Sequence, residues 1–343
     1  MIRIAPRNPI HCPAVHKENA MILLVSPEED AHTQAVRRCL IHMGAEVAPL
    51  DLAEFPQQAQ ITLKIGAQHG PGEHLLSNYE GDLDLRNCHA VWWRQPQPFV
   101  LHPELTDQIY RSFAYIECQA TIAGLWLALD AFWVNHPMRA EEALRKPYQL
   151  KLAQQVGFCV PATLITNNPS QARAFVHHHG IERTVYRAFS TTARTWHEAR
   201  LIQPQQLALL DNVCYAPVVF QEQIPSQMDL RIVVVGNDLF AVAAPGAEWD
   251  ATELRSDLEP YRLSPALAKQ AQALMSRLGL IYGVLHLRMT PDGEIVFLDV
   301  DPTGGWLPFE KQLGLPITQA VSTLLCTRAK PPVAQHRTLF AQR

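Results

Sequence analysis

Three groups of residues carry side chains at spacings that can do chemistry. The run Phe297-Leu298-Asp299-Val300-Asp301-Pro302 reads as an apolar strand ending in two carboxylates two residues apart. Side chains alternate along a strand, so Asp299 and Asp301 share one face at its end, where they could hold Mg²⁺ against phosphate oxygens. An acidic strand end is also an ordinary solvated feature, and both readings stand at this point. Gly304 and Gly305 follow and let the backbone come close to a ligand. The second group is Phe220-Gln221-Glu222-Gln223-Ile224-Pro225, followed by Asp229-Leu230-Arg231. A strand running into a connector through Gln221, Glu222 and Ile224 offers backbone donors and acceptors that can read an adenine edge. Asp229 could bond ribose hydroxyls, and Arg231 could take phosphate or acyl-phosphate oxygens bidentately. The plain alternative is a surface ion pair of Asp229 with Arg231. The third group is two cations on otherwise apolar elements: Lys146, ahead of Gln149-Leu150, and Arg187 in Val185-Tyr186-Arg187. Each can be a ligand-binding group or a side chain snorkelling to the surface.

Other chemistries find less support. No Ser-His-Asp or Cys-His arrangement stands out. The run His177-His178-His179 has no Cys or carboxylate at ligand spacing beside it and reads as a solvated helix end. Seven cysteines are scattered, odd in number and never paired as CxxC, which reads as reduced thiols in a cytoplasmic chain without a disulfide framework. A net charge of −4 shows no basic stripe for nucleic acid and no polybasic patch for a membrane surface. The longest apolar stretch, Ala123 to Val134, is broken by Asp130 and is too short to span a bilayer. With 48% hydrophobic and 18% charged residues, the 343-residue chain can build a sizeable core in two or three domains.

The elements that must position these groups read as α/β. Residues 1–20 hold scattered Pro, His and Arg and read as a flexible extension. A strand at Met21–Ser26, a helix at Ala31–Met43 stopped by Gly44, and a strand at Glu46–Leu50 form a parallel βαβ start. Ile61–Ile65 and Ala90–Trp93 read as strands, with residues 66–81 a loop between them. A helical pattern covers Pro103–Phe132 and a second covers Arg139–Val156, ended by Gly157. Pro161–Thr166 and Thr184–Phe189 read as strands, with a helix at Ser170–His178 capped by the Asn167-Asn168-Pro169 turn. The last third holds strands at Val218–Gln223, Leu230–Val235 and Leu239–Ala244. The latter two flank the hairpin turn Gly236-Asn237-Asp238. A helix at Pro265–Leu278 and strands at Gly283–Met289 and Glu294–Val300 complete the pattern, and residues 329–343 read as a frayed tail.

Taken in order, these features resemble the ATP-grasp superfamily. Within it they resemble the RimK-like peptide maturases that make microviridin-type crosslinked peptides, the graspetides. The resemblance covers about residues 21–327. It is carried by Val91-Trp92-Trp93-Arg94-Gln95-Pro96, Asn135-His136-Pro137, Lys146 to Leu150, Gly157 to Asn167, Gln221 to Gly236 and Leu278 to Trp306. It implies a Rossmann-like pre-ATP-grasp domain over 21–120, then a two-lobed ATP-grasp fold with a central lobe over 121–216 and a C-terminal lobe over 217–328. It further implies ATP and Mg²⁺ as cofactors, a ribosomal precursor peptide with leader and core as partner, and a homodimer.

On this resemblance Lys146, Arg187, Gln221, Glu222, Ile224 and Asp229 bind the nucleotide, Arg231 and Arg187 serve catalysis, and Asp299, Asp301 and His286 surround the metal. Four positions depart from the family. Arg187 stands where a strand Lys is usual, which changes reach and geometry. His286 stands where the first metal acid is usual, and an imidazole replaces oxygen poorly on Mg²⁺. Asp299 and Asp301 replace a Glu and an Asn. The site is thus either shifted onto the two Asp residues or weakened. Leader docking is assigned to Thr184–Trp196, with Arg194 and Trp196 as cation and aromatic anchor; a loop over the nucleotide is the other reading. The implied reaction activates Asp or Glu side chains as acyl phosphates and closes them into lactones or lactams. Another amino-acid or peptide ligase, or a weakened peptide-binding relative, are the alternatives.

Overall fold

A computed structural model of the chain describes residues 21–66, 73–78, 81–187, 200–246 and 257–329. The chain divides into two compact units, Met1–Pro137 with Pro316–Arg343, and Met138–Leu315. Residues 138–315 of the two expected lobes lie in one unit, and the last helix groups with the first.

The first unit opens with β1 (Met21–Val25), α1 (Ala31–His42) and β2 (Glu46–Leu50). Asp30 caps α1 by accepting from Thr33 N at 2.7 Å, which satisfies a first-turn donor. The chain continues through β3 (Gln60–Lys64), β4 (Glu73–Asn78), β5 (Gly81–Asp84), β6 (Cys88–Trp93), α2 (Gln108–Ala128) and β7 (Phe132–Val134). β1, β2, β6 and β7 form a parallel sheet in the order β2-β1-β6-β7. β1 is buried at every position, which is why it is a continuous apolar run instead of an alternating one.

Two expectations fail here. Residues 66–81 are not all loop: β4 lies within them and pairs antiparallel with β3 and β5. Only Leu76 of β4 is buried, so pairing partners define this strand and hydrophobic alternation barely marks it. The helical pattern over Pro103–Phe132 is a shorter helix, capped by Asp107 through Ile109 N at 2.8 Å, then the separate strand β7. A three-residue apolar strand gains its identity only by pairing with β6.

The second unit begins with α3 (Pro137–Ala143) and α4 (Lys146–Gln155), where one helix over Arg139–Val156 was expected. Pro147 has no N–H to continue the α3 ladder, but it fits the first turn of α4, where none is needed. The break makes Lys146 the first residue of α4. β8 (Thr163–Thr166), α5 (Pro169–His179), β9 (Thr184–Arg187), β10 (Arg200–Leu201) and β11 (Val218–Glu222) follow. Their antiparallel sheet has the order β10-β9-β11-β8. Unforeseen in the sequence is a 3₁₀ stretch at Pro204–Tyr215.

β12 (Met228–Val235) and β13 (Asp238–Pro245) form the expected hairpin, with Gly236 at φ 59 in its turn. β14 (Glu259–Pro260), α6 (Pro265–Leu278), β15 (Tyr282–Met289), β16 (Ile295–Asp301) and α7 (Leu307–Leu313) complete the unit. The five-stranded antiparallel sheet runs β14-β13-β12-β15-β16. α4 and α6 pack with one face of it, where Leu150, Leu274, Ile232, Leu285, Phe297 and Val300 form the core. The chain then supplies α8 (Ile317–Arg328), which packs with α1, β6 and β7 in the first unit. Neither α7 nor α8 was anticipated.

Gly304 shows how tightly the sheet end is built. A Cβ there would come within 2.6 Å of Val284 Cγ2 and 2.7 Å of Val284 Cβ. Close approach is therefore required inside the protein itself, whatever a ligand asks of the same glycine. Val284 is β-branched and cannot swing clear. Gly304→Ala is expected to destabilise the protein by about 1–3 kcal/mol in urea unfolding, with part of the loss recovered in Gly304→Ala/Val284→Ala.

Candidate active site

A row of polar side chains crosses three strands on the sheet face away from the core. Register pairs Arg231 of β12 with His286 of β15, and His286 with Asp299 of β16. Alternation sends Leu230, Ile232, Leu285 and Leu287 to the core and these three residues to the other side. His286 Nδ1 lies 2.7 Å from Asp299 Oδ1, and Arg231 Nη1 bonds His286 Nε2. A guanidinium only donates, so Nε2 accepts and Nδ1 carries the proton given to Asp299. Both ring nitrogens are engaged, and neither presents a lone pair to a metal ion.

Two more cations close on the same carboxylate. Arg187 ends β9 and places Nη1 3.7 Å from Asp299 Oδ2. Lys146 is 3% exposed, and its Nζ donates to the Leu298 carbonyl. That carbonyl belongs to a bulge. His286 pairs with Asp299 while Leu287 pairs with Phe297, so Leu298 is the extra residue. Gln149, one turn along α4, donates from Nε2 to the Val300 carbonyl at 2.9 Å and accepts from Val300 N at 3.4 Å. Two polar side chains three apart thus fasten α4 to β16.

The electrostatics follow from this packing. Burial pulls the Lys146 ammonium down to about 8, Asp299 draws it back up, and Arg187 pushes it down. Burial would raise Asp299, but His286, Lys146 and Arg187 outweigh it and hold the carboxyl well below the usual carboxylate range. Two cations, Lys146 and Arg187, beside one ionised carboxylate leave surplus positive charge, which suits an anionic phosphate chain.

Asp301 shares the face of Asp299. Its Oδ1 accepts from Thr303 N at 2.8 Å and Thr303 Oγ1 at 3.0 Å, leaving Oδ2 without a partner among the described residues. No group of three or more His, Cys, Asp or Glu among those residues could by itself hold a metal ion. Two carboxylate oxygens on one face nevertheless fit Mg²⁺, which keeps waters and takes its remaining donors from phosphates.

The remaining expected residues sit nearby in sequence but are already partnered. Gln221 donates to Thr163 Oγ1 at 2.9 Å, and Glu222 pairs with Arg183 at 2.8 Å. Asp229 does not pair with Arg231. It is gripped by Arg288, whose Nε reaches Oδ1 at 2.7 Å and whose Nη2 reaches Oδ2 at 3.0 Å. A third Arg288 nitrogen, Nη1, donates to the Ile224 carbonyl at 3.1 Å. Arg194 and Trp196 lie outside the described residues. Sequence reasoning missed Arg288 and gave Gln149 no role. The matched spacing of Asp229-x-Arg231 and His286-x-Arg288 was the available signal for Arg288: antiparallel pairing of these strands sets Asp229 opposite Arg288.

A parallel strand-helix-strand unit, an antiparallel four-stranded sheet and a five-stranded antiparallel sheet carrying cations beside an acidic strand end define an ATP-grasp ligase. Residues 21–141 match the family model of the MvdD pre-ATP grasp domain. No curated protein matches the chain. Among solved structures, the macrocyclase MdnB from Microcystis aeruginosa MRC is 31% identical with a TM-score of 0.78, over 89% of this chain and 98% of that one. The macrocyclase MdnC from the same organism, bound with precursor peptide MdnA, is 27% identical with a TM-score of 0.80, over 90% and 99%. A Chryseobacterium gregarium RiPP-associated ATP-grasp ligase, in complex with ADP and a leader and core peptide, shares the fold at 24% identity and a TM-score of 0.79, over 91% and 99%. The chain belongs to the macrocyclase family of RiPP-associated ATP-grasp ligases.

The Arg288–Asp229 pair is buried, at 8% and 7% exposure. Removing Asp229 takes the bidentate carboxylate away from a buried guanidinium. Asp229→Ala is expected to cost about 3 kcal/mol or more in urea unfolding. A variant of unchanged stability with weakened ADP affinity would instead mark Asp229 as a ribose-binding group.

Proposed function

We propose that the chain uses ATP to activate Asp or Glu side chains of a ribosomal precursor peptide and closes them onto Ser or Thr hydroxyls, or Lys amines, as lactones or lactams. The observation that carries this reading is the placing of Lys146 and Arg187 beside the ionised Asp299, with Arg231 held on the same sheet face by His286, in a chain of this family. In the first step a peptide carboxylate oxygen attacks the γ-phosphorus of ATP. The bond to the bridging oxygen breaks and leaves ADP and an acyl phosphate. In the second step the peptide nucleophile attacks the acyl carbon, the carbon–oxygen bond to phosphate breaks, and the nucleophile gives up its proton. The protein needs no covalent nucleophile for this. Lys146, Arg187 and Arg231 neutralise phosphoryl oxygens and fix the reactants in line. Asp299 and Asp301 are the residues that would hold Mg²⁺, which when bound adds charge neutralisation at the phosphates.

The leader is assigned to the segment carrying Arg194 and Trp196, and the working form to a homodimer. No helix among the described residues is long and apolar enough to cross a membrane. A cytoplasmic site, where ATP and newly made precursor meet, is the reading that fits the substrates. His286 favours one rival: with both nitrogens engaged it adds no metal donor, as in a peptide-binding relative with weakened turnover.

Incubation with ATP, Mg²⁺ and a Thr-, Ser-, Asp- and Glu-rich precursor, read by mass spectrometry, is expected to show successive losses of water. Wild type without ATP-dependent mass change, together with gain of activity in His286→Asp, would establish the weakened relative. In the active enzyme, Asp299→Asn abolishes turnover and His286→Ala costs less. Lys146→Ala and Arg231→Ala each lower ATP use at least about tenfold, or about 1.4 kcal/mol.

Nucleotide binding should also depend on pH. The free Lys146 ammonium titrates at about 8, and bound phosphates raise that value. The nucleotide therefore favours the protonated form, so ADP affinity falls as pH rises through about 8 and is steady below it. Calorimetry in buffers of different ionisation heat should detect proton uptake above pH 8 in wild type and none in Lys146→Met.

A further inference from the structure

The connector between β11 and β12, residues 223–227, is tied to its surroundings at both ends. Glu222 N, closing β11, donates to the Ala162 carbonyl at 2.9 Å, and Gln223 N donates to the Arg183 carbonyl at 2.8 Å. At the far end Gln227 N donates to the Met289 carbonyl at 2.8 Å, and the Gln227 carbonyl accepts from Gly246 N at 3.0 Å. Pro225 has no N–H. Two backbone donors, Ile224 N and Ser226 N, have no acceptor among the described residues. Of the two, Ile224 belongs to the stretch whose backbone faces an adenine edge in the sequence reading. Its carbonyl accepts from Arg288 Nη1 at 3.1 Å.

Arg288 has no place among the nucleotide-binding residues named so far, and its contacts explain why. Its Nε and Nη2 go to the two oxygens of Asp229, and its Nη1 goes to Ile224. A buried guanidinium so engaged is not offered to a phosphate. Its planar fork instead joins β15, the start of β12 and the connector in one rigid contact. Ser226 Oγ adds a bond to Asp229 Oδ1 at 3.0 Å, so the carboxylate also grips the connector from within. Pro225 confines Ile224 to extended backbone. With the carbonyl direction then set by Arg288, the Ile224 N–H is held in one orientation. A held N–H discriminates between purines. Adenine accepts at N1 and donates from its 6-amino group, whereas guanine donates from N1 and accepts at O6. A donor aimed at N1 therefore bonds adenine and opposes a second donor in guanine, which leaves both polar groups unpaired.

We propose that Arg288 is a positioning residue for nucleobase recognition: by holding the Ile224 carbonyl and Asp229 together, it aims the Ile224 N–H at adenine N1 and disfavours guanine. This rests on the nucleotide site proposed above, and its test needs no peptide turnover. Calorimetry on the full chain with Mg²⁺ and ADP, GDP or pyrophosphate should give a wild-type preference for ADP over GDP of about a hundredfold. Arg288→Lys keeps the charge beside Asp229 but loses the fork. It should weaken ADP about tenfold and leave GDP and pyrophosphate unchanged, so that the ADP-to-GDP ratio falls about tenfold. Arg288→Gln/Asp229→Asn replaces the buried ion pair with two amides, which guards against a variant that fails to fold. The same fall in the ratio is expected there, since any contact of Asp229 with ribose is common to both nucleotides and cancels. A brace serving stability alone would lower the melting temperature and leave the ratio unchanged in both variants, and that result would overturn the proposal. So would a wild type that binds GDP as tightly as ADP. A wild type that binds neither nucleotide is a distinct result, which would overturn the nucleotide reading together with the proposal.

Discussion

The second unit is organised around one buried charge. Lys146 has left water almost completely, and an ammonium so placed is tolerated only with close oxygen partners and a nearby anion. The Leu298 carbonyl supplies the oxygen and Asp299 the anion. Asp299 in turn stays ionised because Lys146, Arg187 and His286 converge on it from α4, β9 and β15. Each group makes the others' positions affordable, and what remains is positive charge facing outward from the sheet.

The bulge at Leu298 is what makes that arrangement geometrically available. Without it, strict alternation would put Phe297 on the same face as Asp299 and Asp301. The extra residue returns Phe297 to the core beside Val300, while the two aspartates keep the opposite face. It also sets the Leu298 carbonyl where Lys146 can take it. Gln149 then bonds the next residue but one, Val300, through both its N–H and its carbonyl. One irregularity therefore sets the strand register, seats α4 and positions the site's cation.

Two arginines on the same sheet face do different work. Arg288 spends all three of its nitrogens on Asp229 and Ile224, fixing the connector between β11 and β12 by a buried bidentate contact. Arg231, two residues from Asp229, meets an imidazole in place of a carboxylate. That contact orients the guanidinium on the face shared with Asp299. The difference follows from one residue of β15, His286, which orients Arg231 through Nε2 while giving its Nδ1 proton to Asp299.

The sequence by itself determined the elements whose signals are local. The buried run of β1, the Asn168 cap, the Gly44 stop and the Gly236-Asn237 turn each act within a few residues, and each falls where the pattern put it. It also marked Lys146, Arg187, Arg231, His286 and Asp299, because charge on an apolar element is conspicuous wherever the chain goes. Tertiary structure decided the rest. β4 and β7 exist by pairing, α3 and α4 separate at Pro147, and Asp229 chooses Arg288 over its neighbour Arg231 because antiparallel register sets it opposite the former. Alternation along one strand fixes which face a side chain takes. Only the register between strands fixes which charge it meets there, and for Asp299 that register depends on a single extra residue in β16.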